Sequence, residues 1–284
     1  MFRNQDGRIA DMAITMLGEI PIIVHNLNQL AAGGIKTLVV VTGKNGIEIE
    51  ELVRAPENHE LTGLSISFIH LGEEWVGTFA QAVVAGREAF TGRDNFLLTS
   101  GVAVFNPDIV SEVSGRAMGL SEGDACRVVV ETDVAGMVGI TSNFLLIGTR
   151  PMDDPERVFQ CSSSLGVYSG ISTDMYRLST EVFADLAQLQ SRLPHMDAFD
   201  QQLQSYACTG RLLQLSTSGR TWFAVENKSS LDYTSKSISS AMGDDGQAFG
   251  LVGLPKKVQR GSHGAGALLS CAQWCWIHAG WCRC

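Results

Sequence analysis

The stretch Asn95-Phe96-Leu97-Leu98-Thr99-Ser100-Gly101 decides the fold of this chain. Its apolar centre is typical of a strand that is buried on both faces of a parallel sheet. The turn at 91–94 precedes the strand, and a helix is predicted after Pro107. Val102 follows the strand directly, so an apolar residue stands at a strand end, which is where α/β proteins bind their ligands.

Strands and helices alternate on both sides of this stretch. The spacing of apolar residues and the positions of glycines predict helices at 22–31, 47–53 and 79–90, and strands at 35–41 and 64–69. Further along the chain, strands are predicted at 127–130, 144–147 and 221–225, and helices at 179–189 and 197–206. This alternation predicts βαβ units and a mainly parallel sheet that is covered on both faces.

The composition limits the classes of function. The 284 residues are 45% apolar and 18% charged, which suits a folded α/β protein. A net charge of -9 argues against a broad nucleic-acid interface but leaves room for a small phosphorylated ligand. No run approaches the roughly 18 apolar residues of a membrane span. The first residues do not read as a secretory signal, so we expect a cytoplasmic protein.

Four segments resemble a known family in their order and spacing. They are the unit from Gly33-Gly34 to Thr42-Gly43, the loop Trp75-Val76-Gly77-Thr78, the strand at 96–101 with Phe105-Asn106-Pro107-Asp108, and Trp222-Phe223-Ala224-Val225-Glu226. Together they resemble the sugar-phosphate nucleotidyltransferases, including inositol-phosphate and phosphocholine cytidylyltransferases and the molybdopterin-type transferases. The resemblance covers about residues 10 to 235 and has degenerate or truncated motifs.

The resemblance implies a Rossmann-like three-layer αβα sandwich that binds a nucleoside triphosphate, with CTP favoured. It further implies nucleotidyl transfer to a phosphorylated sugar, polyol or amino alcohol. Such a reaction brings two phosphate groups together, so it needs backbone N–H groups, basic side chains and Mg²⁺ held by carboxylates. Mg²⁺ is therefore the cofactor expected if the protein is active.

The resemblance also assigns candidate site residues. Gly77 and Thr78 correspond to the loop that approaches the base, and Ser100 and Gly101 to the nucleotide-binding strand end. Glu226 is the candidate metal ligand, although a solvated carboxylate at a strand end is the alternative. No residue is assigned to catalysis.

Three parts of the implied site depart from the family pattern. Val102 stands where the first metal aspartate is expected, and Ala224 stands at the first carboxylate of the second metal motif. We also expect the amino-terminal phosphate loop to be missing or truncated, because residues 11–13 replace its lysine. Impaired activity is therefore expected.

Several alternatives stay open at this stage. The first is a non-catalytic nucleotide-binding or scaffold module of the same fold, and the second is an incomplete chain. We predict a nucleotidyltransferase-like domain at 1–235, without the usual first strand, and a loosely ordered or divergent tail at 236–284. The cysteines and His278 of that tail have the ligand types of a zinc site, but their spacing favours a divergent terminus. A homo-oligomer also stays open.

Overall fold

The computed structural model describes residues 2–3, 9–10, 12–43, 45–72, 75, 78–133, 145–150, 154–192, 198–225, 228–241 and 266–270. The strands are β1 (Phe2–Arg3), β2 (Ile9–Ala10), β3 (Met16–Leu17), β4 (Ile20–Pro21), β5 (Thr37–Thr42), β6 (Ser65–His70), β7 (Asn95–Ser100), β8 (Ala103–Phe105), β9 (Cys126–Glu131), β10 (Leu146–Arg150), β11 (Asp154–Ser162), β12 (Gly170–Ser179), β13 (Leu212–Ser216), β14 (Trp222–Ala224) and β15 (Gly266–Ser270). The α-helices are α1 (Ile22–Ala32), α2 (Gly46–Val53), α3 (Phe79–Gly86), α4 (Pro107–Ser114), α5 (Val182–Arg192), α6 (Ala198–Cys208) and α7 (Lys228–Ala241). Short 3₁₀ turns lie at Met12–Ile14, Pro56–Gly63, Arg87–Phe90 and Arg116–Met118.

The main sheet has nine strands in the order β10-β11-β13-β9-β12-β7-β15-β5-β6. The neighbours β7, β15, β5 and β6 are parallel to one another. On the other side of β7, β12 is antiparallel to both of its neighbours in this order, β7 and β9. The α/β class with a parallel sheet is therefore confirmed, while the other half of the sheet is largely antiparallel.

The antiparallel half closes on itself. Strand β10 pairs with β11 and also with β12, so the ring β10-β11-β13-β9-β12 returns to its starting strand. A closed ring leaves no edge strand with unpaired backbone groups in this part of the sheet. The sequence did not predict this ring, because the pairing of β10 with β12 joins distant residues.

Strands β5 and β7 are buried along nearly their whole length, as their apolar runs predict. Leu38 and Val40 of β5 pack with residues of α1 and α4, whereas Val39 and Val41 pack with residues of α3, α5 and α6. Successive side chains of a strand point to opposite faces, so one apolar run supplies two cores. The two core clusters therefore share β5, which contributes alternate side chains to each of them.

Two adjacent glycines end α1 and let α4 approach. Gly34 has a φ of +94°, a left-handed conformation that glycine adopts without strain. A Cβ on Gly33 would lie against the side chain of Val110 and 3.1 Å from the carbonyl oxygen of Pro107. The helix end predicted from Gly33-Gly34 is thus confirmed, and close packing of the two helices is a second reason for glycine there.

The carboxyl-terminal elements extend past the predicted domain boundary. Residue 235 lies inside α7, and β15 lies within the main sheet. The remaining residues of the region predicted as a tail, including its cysteines, lie outside the described residues. The division at residue 235 stays a prediction. None of the helices that the structure describes is long and apolar enough to cross a membrane.

Candidate functional site

One edge of the sheet collects the carboxyl ends of several strands. Because β5, β6, β7, β9 and β13 run in the same direction, this edge holds Thr42, His70, Ser100, Glu131 and Ser216. Ligands of open α/β sheets bind outside such an edge. The residues that follow these strand ends therefore form the candidate site.

The two apolar positions singled out in the sequence lie next to each other at this edge. After β7 the chain turns at Gly101-Val102 into β8, which pairs antiparallel with β14 so that Ala103 lies opposite Ala224. The backbone N–H of Val225 donates to the carbonyl oxygen of Val102 at 3.1 Å. The structure thus joins segments that are more than a hundred residues apart in the sequence.

Two polar side chains of α1 hold this turn in place. The Asn26 amide donates to the carbonyl oxygen of Ser100 at 3.1 Å and also to that of Ala103. The Gln29 side chain accepts from the backbone N–H of Phe105 at 2.6 Å. Both side chains are buried, so these hydrogen bonds fix the path of the chain after β7. The signal in the sequence was the presence of polar residues among the apolar positions of α1, and it was missed.

Thr78 directly precedes α3 and caps its N-terminus. Its hydroxyl accepts from the backbone N–H of Gln81 at 3.2 Å, which is the arrangement of a helix N-cap. The Trp75 indole donates to the Gln81 side chain at 2.6 Å and packs on Gly43, where a Cβ would lie 2.8 Å from the indole ring. The loop before α3 is therefore anchored on the candidate edge, and Thr78 has a structural task there.

The residues described at the predicted metal position do not fit Mg²⁺. Mg²⁺ requires oxygen ligands and is usually held by carboxylates, but Val102, Ala224 and Val225 have apolar side chains. Val102 also packs against apolar residues of two core clusters. Among the described residues, no group of three or more His, Cys, Asp or Glu side chains could hold a metal ion. Glu226 lies outside the described residues.

A buried carboxylate links three segments of the edge. Glu131 ends β9, and its Oε2 accepts from the Thr217 hydroxyl at 2.9 Å and from the Trp222 indole N–H at 3.1 Å. Its Oε1 accepts from the backbone N–H of Asp133 at 2.8 Å. Glu131 therefore positions the start of β14, the strand that brings Ala224 to Ala103. Its signal in the sequence was an acid that ends an apolar run.

A hydroxyl–imidazole–carboxylate chain lies at the ends of β5 and β6. The Thr42 hydroxyl and His70 Nδ1 are 2.7 Å apart, and His70 Nε2 lies 2.8 Å from a carboxylate oxygen of Glu50. Hydrogen bonds from His70 and Arg54 hold the pKa of Glu50 below its usual value. Because Thr42 is fully buried, its oxygen is not open to a substrate. These hydrogen bonds position α2 against the sheet, and the three residues do not form a nucleophilic triad.

Replacing Gly46 by alanine should break the hydrogen bond between Thr42 and His70. The new Cβ would lie 2.6 Å from His70 Nδ1 and in contact with the Thr42 hydroxyl, so one of the two groups must move. We expect a loss of about 1–2 kcal/mol in the free energy of unfolding, despite the higher helix propensity of alanine. Urea unfolding measures the effect.

Gly63 provides the matched control for Gly46. A Cβ there meets nothing within 4 Å. Gly63→Ala should therefore change the free energy of unfolding by less than about 0.5 kcal/mol. Equal effects of the two substitutions would contradict the proposed role of the Thr42–His70 hydrogen bond.

Buried His25 predicts a pH dependence of stability. Its Nε2–H donates to the carbonyl oxygen of Leu17 at 2.8 Å, and burial lowers its pKa below the usual value. In the unfolded chain a histidine titrates near ~6.5, so the unfolded state binds more protons as the pH falls through that value. We expect the stability contribution to be complete above about pH 6.5 and to be lost below it.

The measurement compares the native protein with His25→Gln in urea between pH 7.5 and pH 5. As the pH falls, the unfolding free energy of the native protein should decrease more than that of His25→Gln. Asn28→Gln, on the same helix, leaves the titrating groups unchanged and controls for the substitution. Parallel pH profiles of the native protein and His25→Gln would refute the prediction.

The structure locates only part of the predicted site. Ser100 and Gly101 are buried at the candidate edge, and Thr78 caps α3. Gly77 and Glu226 lie outside the described residues, so their roles stay predictions. Lys36, a basic residue near these segments in the sequence, precedes β5 and lies at the opposite edge of the sheet.

Solved structures share this architecture. A protein from Bacillus anthracis assigned as a glucose-1-phosphate thymidylyltransferase, solved with sucrose, matches with a TM-score of 0.64 at 16% identity, over 79% of this chain and 85% of its own. This chain has the nucleotidyltransferase fold. A UDP-glucose pyrophosphorylase in complex with UDP-glucose matches with a TM-score of 0.65 at 12% identity, over 81% and 90%. The inositol-1-phosphate CTP transferase from T. maritima matches with a TM-score of 0.60 at 12% identity, over 85% and 91%.

The similarity to known proteins is found by comparing structures and not by comparing sequences. No family model and no curated protein matches this chain. The nucleotidyltransferase fold confirms the resemblance inferred from the four ordered segments. At identities of 16% or less, the likeness concerns the fold alone.

Proposed function

We propose that this protein binds a nucleoside triphosphate at the carboxyl edge of its sheet and transfers the nucleotidyl group to a phosphorylated small molecule. The observation that carries the proposal is the meeting of the turn after β7 with the end of β14, through the hydrogen bond between Val102 and Val225. This arrangement lies at the edge where α/β sheets bind ligands. The fold likeness to three proteins named for nucleotidyl chemistry adds support.

The finer assignments belong to the same proposal. CTP is the favoured nucleotide, and the acceptor is a phosphorylated sugar, polyol or amino alcohol. Gly77, Thr78, Ser100 and Gly101 would contact the nucleotide, and Glu226 would be a metal ligand. A three-layer sandwich, a cytoplasmic location and a homo-oligomer also stay predictions.

A second candidate is a nucleotide-binding module without catalysis. The apolar side chains of Val102 and Ala224 favour it, since neither can supply an oxygen ligand to a cation that balances the charge of a triphosphate. Binding through backbone N–H groups alone would remain feasible. The two candidates share the binding step and differ in turnover.

Thermal unfolding in the presence of each triphosphate tests the shared step. A ligand at one hundred times its dissociation constant stabilises the native state by about 2.7 kcal/mol, which raises the melting temperature by several degrees. We expect CTP with Mg²⁺ to give the largest shift among CTP, UTP, dTTP, ATP and GTP. No shift with any of them at millimolar concentration would refute the binding proposal.

Pyrophosphate release separates the two candidates. The protein is incubated with CTP, Mg²⁺ and either inositol phosphate or phosphocholine, with each acceptor omitted as the control. Turnover that depends on the acceptor would establish the transferase, whereas binding without turnover would favour the module.

Changing Val102 to aspartate tests whether this position belongs to the metal site. In the presence of CTP, Val102→Asp should raise the affinity for Mg²⁺ at least about tenfold, because it adds an anionic oxygen ligand. Val102→Asn has a similar shape without the charge and should give a much smaller change. Calorimetric titration measures both. Unchanged affinity in a folded aspartate variant would show that Val102 lies away from the cation.

A further inference from the structure

Strand β15 lies in the interior of the main sheet, although it is the last element that the structure describes. It is parallel to both neighbours, with Leu268 opposite Val39 of β5 and Leu98 of β7. Among the described strands, β15 alone joins the pair β5 and β6 to the rest of the sheet. The backbone ladders of β15 therefore hold the two halves of the parallel region together.

The position of β15 is also where the order of the strands in the sheet reverses. Strand β5 is followed by β6 on one side of β15, whereas the next strand in the chain, β7, lies on the other side. In open α/β sheets, ligands bind outside the carboxyl ends of the strands at such a switch point. The sheet order alone thus places β15 at the centre of the candidate edge.

The register brings the end of β15 to that edge. Ser270, its last residue, lies opposite Val41 and Ser100. One residue further on, β5 ends at Thr42 and the turn begins at Gly101. The backbone of Ser270 is therefore flanked by the end of β5 and by the predicted nucleotide residue Ser100.

We propose that β15 is the central strand of the nucleotide-binding edge and that its insertion into the sheet is coupled to nucleotide binding. The proposal rests on the function proposed above. A ligand that binds only the state with β15 inserted stabilises that state by mass action. Withdrawal of β15 would leave the facing backbone groups of β5 and β7 unpaired, so the inserted state is the one that presents an intact edge to the nucleotide.

Hydrogen exchange of the full chain, with and without CTP and Mg²⁺, tests the coupling. We expect nucleotide to slow the exchange of the amides of 266–270 at least about tenfold, together with those of 100–105. The amides of β11, at the distant end of the sheet, should change little. Slower exchange at 100–105 with no change at 266–270 would overturn this inference and leave the proposed function intact. No change at either segment would count against both.

A pair of substitutions at Leu268 tests the same point without relying on ligand protection. Proline removes a backbone N–H that an interior strand needs, whereas valine keeps the N–H and favours strands. We expect Leu268→Pro to speed the amide exchange of 37–42 and 97–100 and to weaken CTP binding at least about tenfold. Leu268→Val should stay within about twofold of the native protein.

The proline variant is compared by circular dichroism before its binding is interpreted. A folded Leu268→Pro protein with native CTP affinity would overturn the inference. If that variant does not fold, the exchange experiment on the native chain decides the question by itself.

Discussion

Replacing Phe96 by alanine should lower the free energy of unfolding by about 3–5 kcal/mol. Phe96 is 1% exposed, and its ring stacks on Phe183 at a centroid distance of 5.0 Å and on Phe90 at 4.8 Å. Truncation would remove the buried ring, leave a cavity and break both ring contacts. Because Phe96 lies in β7, the loss also loosens the strand that ends at Ser100.

Urea unfolding followed by circular dichroism measures this loss, with Phe68→Ala as the control. Phe68 lies on β6 at the end of the sheet and is only partly buried. Its truncation should cost roughly half as much, since less apolar area is withdrawn from water. A cost for Phe96→Ala that is no greater than that for Phe68→Ala would contradict the packing described for the aromatic cluster.

Changing Glu131 to glutamine should cost about 1–3 kcal/mol, although the side chain keeps its shape. The indole N–H of Trp222 and the backbone N–H of Asp133 can only donate, and they donate to different oxygens of the Glu131 carboxylate. A glutamine presents one oxygen and one NH₂ group, so either orientation sets a donor against a donor. One buried hydrogen bond is lost and one donor is left without a partner.

The effect should reach the candidate site, because Trp222 begins the strand that pairs with β8. We expect the indole N–H signal of Trp222 to shift in the nuclear magnetic resonance spectrum of Glu131→Gln, and Trp222→Phe assigns that signal. A double-mutant cycle of the two substitutions should show a coupling of about 0.5–3 kcal/mol. Additive effects would refute the coupling between Glu131 and Trp222.

Glu156→Gln is the matched control for Glu131. Glu156 also lies on a strand and faces Arg127 at 3.3 Å, but its side chain is 63% exposed. Arg127 is buried, but it also donates to the carbonyl oxygen of Gln214, and the glutamine oxygen at position 156 can still accept from it. This substitution should therefore cost less than about 1 kcal/mol. A similar cost at both positions would show that burial of Glu131 is not what makes its hydrogen bonds matter.

Local patterns predicted most of the parallel half of the sheet. The apolar runs around Val39 and Leu97 identified β5 and β7 because strands buried on two faces have few polar residues. Gly33-Gly34 located the end of α1, and Pro107 located the start of α4. The structure adds that the Asn106 side chain caps this helix by accepting from the backbone N–H of Asp108. These features depend on neighbours in sequence, so a sequence reveals them.

The parts that sequence patterns missed depend on partners that are distant along the chain. The hydrogen bonds of Asn26 to Ser100 and of Glu131 to Trp222 each cross more than seventy residues. A polar side chain on an apolar helix face signals that a partner exists, but it does not identify that partner. The closure of the ring by β10 and β12 was hidden because it depends on backbone pairing, which leaves no side-chain pattern in the sequence.

The sequence by itself determined that this chain alternates helices with buried strands and that Val102 follows the strand at 95–100. Both are properties of consecutive residues. Only the tertiary structure decided that Val102 lies beside Val225, since hydrogen bonds between segments distant in sequence bring them together. It also decided that β15 lies between β5 and β7, because parallel pairing depends on backbone groups that nearly every residue type supplies.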